Sequence, residues 1–308
     1  MLPDDCPCFQ PLTGFYEPSG VRQLPDGRFI VVEDEEQRPL SLFWLAADGA
    51  IASAAVQLPA PPPDDPDFWR LDDLEAITLD QAGYLYAITS HSRDSVGDAQ
   101  PAREKLVRFR IEGARVVEAR LVGNLKRALT AAHPLLAAAA RIREVKRHGG
   151  LNIEALEMSA GQDRLMVGFR SPLLDQRAII ACIENPRALF EAGEEARISP
   201  RLITLDLAGN GIRGLAHVPL LGGYLVIGGP VARERTQFAL WFWSGEHDQA
   251  ARRVRVAGLP GFEHAEGVTP ALVDGRSRIL LVSDDGSEAE RRFARFLIVD
   301  PEQLQIER

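Results

Sequence analysis

Three cysteines, six histidines and no excess of basic charge in 308 residues set the first limits on this chain. Cys6, Cys8 and Cys182 are too few and too unevenly spaced for a disulfide framework or a four-thiolate zinc site. Cys182 lies in the apolar run from Ala178 to Ile183, where a thiol serves as a small hydrophobe. With 35 Lys and Arg against 44 Asp and Glu, the net charge is −9. That balance argues against nucleic acid and against anionic membranes as partners, because both require a basic face that displaces counterions. Residues Met1 to Cys8 lack the basic start and continuous apolar run of a secretory signal, and no apolar stretch approaches membrane-spanning length. Cytoplasmic residence is the default expectation. There is no Gly-x-Ser-x-Gly elbow to activate a serine nucleophile. The clusters Gly222-Gly223 and Gly228-Gly229-Pro230 are followed by strand patterns rather than helices, which removes a phosphate-binding loop.

What the chain does have is repetition. Hairpin starts recur at Gly20 to Leu24, Leu74 to Ile77, Ile153 to Leu156, Ile212 to Leu215 and Ala265 to Val268, each leading through a Gly- or Asp-containing turn to a second apolar run. Runs of Val, Ile, Leu and Tyr bounded by turn residues are strand signatures. A third strand follows each polar tip, and four units add a fourth. A four-stranded antiparallel unit repeated in this way is a propeller blade, and a ring protects many short sheets from exposed edges. The expected fold is therefore all-β: a single β-propeller over residues 1–308 with five four-stranded blades, six being the alternative. The segment from Cys8 to Tyr16 precedes the first hairpin and is expected to supply the outer strand of the last blade.

With Arg22, Glu75, Glu154, Arg213 and Glu266 as anchors, the spacings are 53, 79, 59 and 53 residues. The long second interval contains an alanine-rich segment whose composition, Pro134 and terminal Gly149-Gly150 predict one inserted helix near 130–148. Leu135, Leu136, Ala139, Ile142 and Val145 form its apolar stripe. Arg141, Arg143, Lys146, Arg147 and His148 make the remainder basic. Two roles fit: a helix packed on the blades with a solvated basic face, or a lid that brings local positive charge to an anionic ligand.

The inner strands of a propeller bring equivalent positions together around a central channel. The anchor ring then places Arg22 and Arg213 among Glu75, Glu154 and Glu266. Either these charges form an ion-pair network that closes the channel, or the neighbouring acids Glu75 and Glu154, with Glu266, hold a hard cation such as calcium or magnesium. A second ring is expected where the second strands end, at Asp34, His91, Arg170, Pro230 and Asp284. His91 is the candidate general base, with Asp34 or Asp284 orienting it, and Arg170 is the candidate clamp for an anionic oxygen. Ser90, Ser92, Arg93, Ser171, Asp285, Arg22 and Arg213 complete the expected ligand contacts. A His91 that merely stabilises its Ser-His-Ser tip through hydrogen bonds fits equally.

The recurring Glu-(Gly/Ala)-(Ile/Leu/Val) at hairpin starts, with the Ser-His-Ser tip, resembles the uncharacterised bacterial propeller family DUF3616, which is distantly similar to the esterase-like phytase propellers. The resemblance covers nearly the whole chain. It implies a propeller fold and, through the phytases, phosphate-ester hydrolysis with bound calcium. Ala76 and Ala155 stand where Gly is usual, and Arg22 and Arg213 where an acid is expected. Two functions follow as expectations. One is a metal-assisted hydrolase of a small anionic ester or phosphoester. The other is a non-catalytic scaffold for a small molecule or a protein partner.

Overall fold

The structure, a computed structural model, describes residues 7–33, 38–46, 50–232, 237–247 and 249–308. Cys6 and Asp34 lie outside the described residues. Five antiparallel sheets form five blades. Their inner strands are Pro18–Gln23, Leu74–Leu79, Asn152–Met158, Gly211–Val218 and Ala265–Val273. Each inner strand contacts the next, and the fifth contacts the first, so the ring is closed. The second strands are Phe29–Glu33, Leu85–Thr89, Leu165–Ser171, Gly223–Gly229 and Arg276–Ser283. Gln10–Pro11 pairs with Arg295–Val299 and supplies the outer strand of blade five, as its sequence position predicts. Leu304–Ile306 adds a fifth strand to blade four, outside Arg252–Val256, which the sequence did not suggest.

Five apolar clusters hold the ring, one at each interface between neighbouring blades. Alternation along a strand explains how one blade serves two of them. In Leu85–Thr89, Leu85 and Ala87 join the cluster with blade one, while Tyr86 and Ile88 join the cluster with blade three. Both faces of such a strand are buried, so it reads as a continuous apolar run rather than an alternating one. Each aliphatic side chain fully buried this way contributes about 1.5–3 kcal/mol.

The insert between blades two and three differs from the single helix expected near 130–148. It is three short helices: α1 (Leu125–Ala132), α2 (Pro134–Ala139) and α3 (Val145–His148). Pro134 does open a first helical turn, but a residue before proline is driven out of the helical region. His133 is accordingly extended (φ −132°, ψ 113°), which breaks the helix there. Gly149 ends α3 in the left-handed region at φ 68°. Leu125, Leu129, Leu136 and Ala139 pack into the blade two–three cluster. Among the described residues no helix is long and apolar enough to cross a membrane.

Small residues near the start of the inner strands have a steric cause. A methyl on Gly214 would overlap the Glu266 carbonyl oxygen of the next blade, and one on Gly20 would come within 3.1 Å of the Ala76 Cα. Gly214→Ala is expected to destabilise the protein by about 1–3 kcal/mol, since a rigid backbone atom must move. The measurement is the urea unfolding midpoint, and an unchanged midpoint would refute the steric explanation.

Candidate functional site

The axis is organised by a β-bulge that every blade carries at the same place. The register shifts between Pro18 and Gly20, Leu74 and Ala76, Ile153 and Ala155, Ile212 and Gly214, and Ala265 and Gly267. The extra residues are Ser19, Glu75, Glu154, Arg213 and Glu266. A bulge re-aims its extra side chain and breaks the ladder locally, which suits a position that must turn towards the axis. Four of the five expected anchors are confirmed as equivalent. Blade one is corrected: its bulge residue is Ser19, and Arg22 lies three residues further along the strand. The feature shared by all five blades is not a charge but the small residue that follows the bulge, which is why Arg22 lies out of register with the other four anchors.

The upper layer is a compact network of charge. Glu154 Oε1 accepts hydrogen bonds from Arg170 Nη1 (3.1 Å) and Asn152 Nδ2 (2.7 Å), and Arg213 Nε lies 2.8 Å from Glu154 Oε2. Arg213 Nη2 also contacts Glu266 Oε1. Arg170 Nε donates to the carbonyl of Pro230 at 3.0 Å. Glu75 and Asp284 are close enough to act on Arg213 electrostatically. Burial raises the Asp284 carboxyl above its usual range, against the pull of Arg213 and His264. The structure thus unites Glu75, Glu154, Glu266, Arg170, Arg213 and Asp284. Guanidinium groups, rather than further acids, surround Glu154. Among the described residues no group of three or more His, Cys, Asp or Glu stands ready for a metal ion.

Arg22 belongs to a second layer. Its Nη2 donates to Thr78 Oγ1 at 2.8 Å and to Glu157 Oε1 at 2.5 Å, so one guanidinium ties blade one to blades two and three. Both members of the ion pair are buried. Burial pushes the Glu157 carboxyl up, with Arg22 opposing it.

The expected rim ring does not assemble as one site. Arg170 and Asp284 face the upper layer, but His91 sits one residue beyond their equivalent, which is Ser90. The His91 side chain is 0% exposed and its backbone is left-handed at φ 55°. Nδ1 lies 2.8 Å from the Thr89 carbonyl, which fixes Nδ1 as the donor, and Nε2 is buried without a hydrogen-bond partner. Burial lowers its pKa to about 4; the charged groups acting on it are Lys126 and Glu104 rather than Asp284. Asp285 is held by Ser283 Oγ and Arg295 Nε, both at 2.5 Å. Ser171 is buried and donates to the Gly150 carbonyl.

Ser92 and Arg93 instead line a cleft of about 570 Å³ between the blade-two tip and the insert. Ser90 Oγ donates to Ser92 Oγ (2.9 Å), which donates to Asp73 Oδ2 (3.1 Å). Arg103 Nη1 reaches the same carboxylate oxygen at 3.1 Å. Arg93 fastens the tip to the insert through the Ala140 carbonyl at 3.1 Å. Five basic side chains, Arg93, Arg103, Arg143, Lys146 and Arg147, meet three carboxylates, Asp73, Asp94 and Glu144, in this cleft. Arg103 and Asn152 stand outside the sequence motifs. Asn152, two residues before Glu154 on a bulged strand, carried a usable signal; Arg103 carried none.

A family model described as a protein of unknown function (DUF3616) matches residues 50–300. No curated protein matches the chain. Among solved structures, a GH43 β-1,3-galactosidase with galactodeoxynojirimycin is similar at 8% identity and a TM-score of 0.52, covering 96% of this chain and 97% of that one. A glucose dehydrogenase is similar at 18% identity and TM-score 0.41 over 94% and 85% of the two chains. A structural genomics protein of unknown function from Bacteroides thetaiotaomicron VPI-5482 is similar at 12% identity and TM-score 0.43 over 95% and 60%. At these identities the likeness extends to the fold alone.

Arg22→Ala leaves Glu157 charged and buried without its partner, and a loss of about 3–5 kcal/mol is expected by chemical denaturation. Replacing both by apolar residues, as in Arg22→Met with Glu157→Leu, is expected to recover most of that loss. For His91, the unfolded state binds the proton at a pKa near 6.5 and the folded state only near 4. The unfolded state therefore holds more protons between those values, and stability falls as pH drops through the window, by about 2 kcal/mol between pH 7 and pH 5. His91→Asn, which tolerates the left-handed backbone, is expected to flatten that slope in melts at pH 7 and pH 5. An unchanged slope would remove His91 as its source.

Proposed function

The chain belongs to the DUF3616 family of proteins of unknown function, and from that premise we propose that it is a propeller that binds a small anionic molecule in the rim cleft between the blade-two tip and the insert. The observation that carries this reading is the charge of the cleft lining, five basic side chains against three carboxylates on a chain of net charge −9. Arg103 and Arg143 are also paired to Asp72 and Asp98 beyond the lining, and Arg93 and Lys146 are in no salt bridge among the described residues. A local reversal of sign against the whole-protein field concentrates anions where they are bound. The volume, about 570 Å³, is in the range of small-molecule sites. Three of the five cations, Arg143, Lys146 and Arg147, come from the insert, which acts as the charged wall of the cleft. The basic residues at its C-terminal turn are favoured there by the helix dipole.

Binding is favoured over turnover. A hydrolase needs a base in reach of the ligand, and His91 is enclosed with its Nδ1 committed to a backbone carbonyl. The carboxylates on the axis are engaged by arginines, so calcium or magnesium at Glu75, Glu154 and Glu266 belongs to the hydrolase reading alone. The comparisons show no link to phytases, and phosphoesters enter the test because the hydrolase expectation named them.

Calorimetric titration with inorganic phosphate, citrate and glycerol 3-phosphate is expected to show binding that weakens with added salt. Charge reversal at two exposed cations, Lys146→Glu with Arg147→Glu, is expected to weaken it about tenfold or more while leaving thermal stability unchanged. No binding of any of the three would sink the proposal. Turnover of p-nitrophenyl phosphate that requires calcium or magnesium and is lost in Glu75→Gln would replace it with the metal-assisted hydrolase.

A further inference from the structure

The inner end of the rim cleft carries an acceptor that nothing in the protein satisfies. Asn152 lines the cleft, is 3% exposed, and its Oδ1 is buried without a hydrogen-bond partner. The orientation of the amide is not interchangeable. Nδ2 lies 2.7 Å from Glu154 Oε1, and turning the amide over would press its oxygen against a carboxylate oxygen. Glu154 is itself fixed by Arg170 and Arg213, so the network on the axis holds Oδ1 as a pure acceptor on a residue that lines the cleft. A buried acceptor left unmade costs about 1–3 kcal/mol, which a ligand carrying an N–H or O–H donor would recover.

The two ends of the cleft therefore ask for different chemistry. Exposed Lys146 and Arg147 offer positive charge at the outer wall, and Asn152 offers an acceptor at the inner end. We infer that the ligand is an anion that also carries a hydrogen-bond donor, a hydroxy acid or a phosphorylated alcohol, with its charge towards α3 and its hydroxyl on Asn152 Oδ1. This rests on the rim cleft being the anion site. Asn152 is then the residue that sets specificity, because a site built to accept from a hydroxyl rejects the analogue that lacks it. The lysine and arginine at the outer wall set affinity for anions in general.

Two matched pairs of probes, glycerol 3-phosphate against propyl phosphate and lactate against propionate, test this by calorimetry on the full chain and distinguish the phosphate from the carboxylate source. In the wild type, the hydroxylated member of a pair that binds is expected to be tighter by about tenfold or more. In Asn152→Ala the ratio is expected to fall towards one. In Lys146→Glu both members are expected to weaken alike, keeping the ratio. Should Asn152→Ala fail to fold, Asn152→Ser offers a single oxygen that cannot serve both Glu154, where Nδ2 now donates, and the separate position that Oδ1 now fills, and the same ratio is read from it. Equal binding of both members in the wild type, or a ratio that survives in the Asn152 variant, would overturn the donor requirement and leave the anion cleft standing. If none of the four probes binds, both fall together.

Discussion

Five inner strands converge on one axis, and the space between them dictates what each may carry. Backbones from neighbouring blades approach so closely that the residue after each bulge is Gly or Ala: Gly20, Ala76, Ala155, Gly214 and Gly267. The bulge before it swings one side chain towards the axis, and charges gather there because four of the five bulge residues are Glu or Arg. Burying them is costly unless acid and base alternate with good hydrogen bonds. Arg170 on Glu154 meets that condition above and Arg22 on Glu157 meets it below, whereas Arg213 contributes to Glu154 as an ion pair.

Such pairs add little net stability compared with well-packed apolar residues, but they are demanding about position. Arg22 reaches across two interfaces to Thr78 and Glu157, so its geometry is correct only when three blades are seated. The apolar clusters supply the driving force for the ring, and the axial ion pairs register it. Asn152 extends that registration outwards, since its amide donates to the axial network and the residue also lines the rim cleft.

The fold was legible in the sequence because each strand, buried on both faces, announces itself as an apolar run such as Leu85 to Ile88. The closing strand at Gln10–Pro11 followed from counting. The axial ring was legible only where the bulge residue is charged; in blade one the bulge residue is Ser19, and the nearest charge, Arg22, drew the match out of register. Pro134 was read correctly as a helix start, but its restriction on His133, which divides the insert, is a property of the preceding residue. Electrostatic reasoning anticipated that Glu154 and Arg213 would meet. It did not anticipate the rim cleft, whose lining comes from segments as distant as Asp73, Arg103 and Lys146 and is assembled only by tertiary packing.

The insert is attached differently from the blades. Its helices rest on the blade two–three cluster, and Arg93 and Arg143 tether it to the tip loop through Ala140 and Asp98. The ring, by contrast, is glued at every interface. Changing the residues of α3 would thus re-colour one wall of the cleft without disturbing the hoop that supports it. Such a chain keeps its chassis and exchanges one panel, so two proteins with the same five blades can differ in the charge of this wall by a handful of residues between 141 and 148.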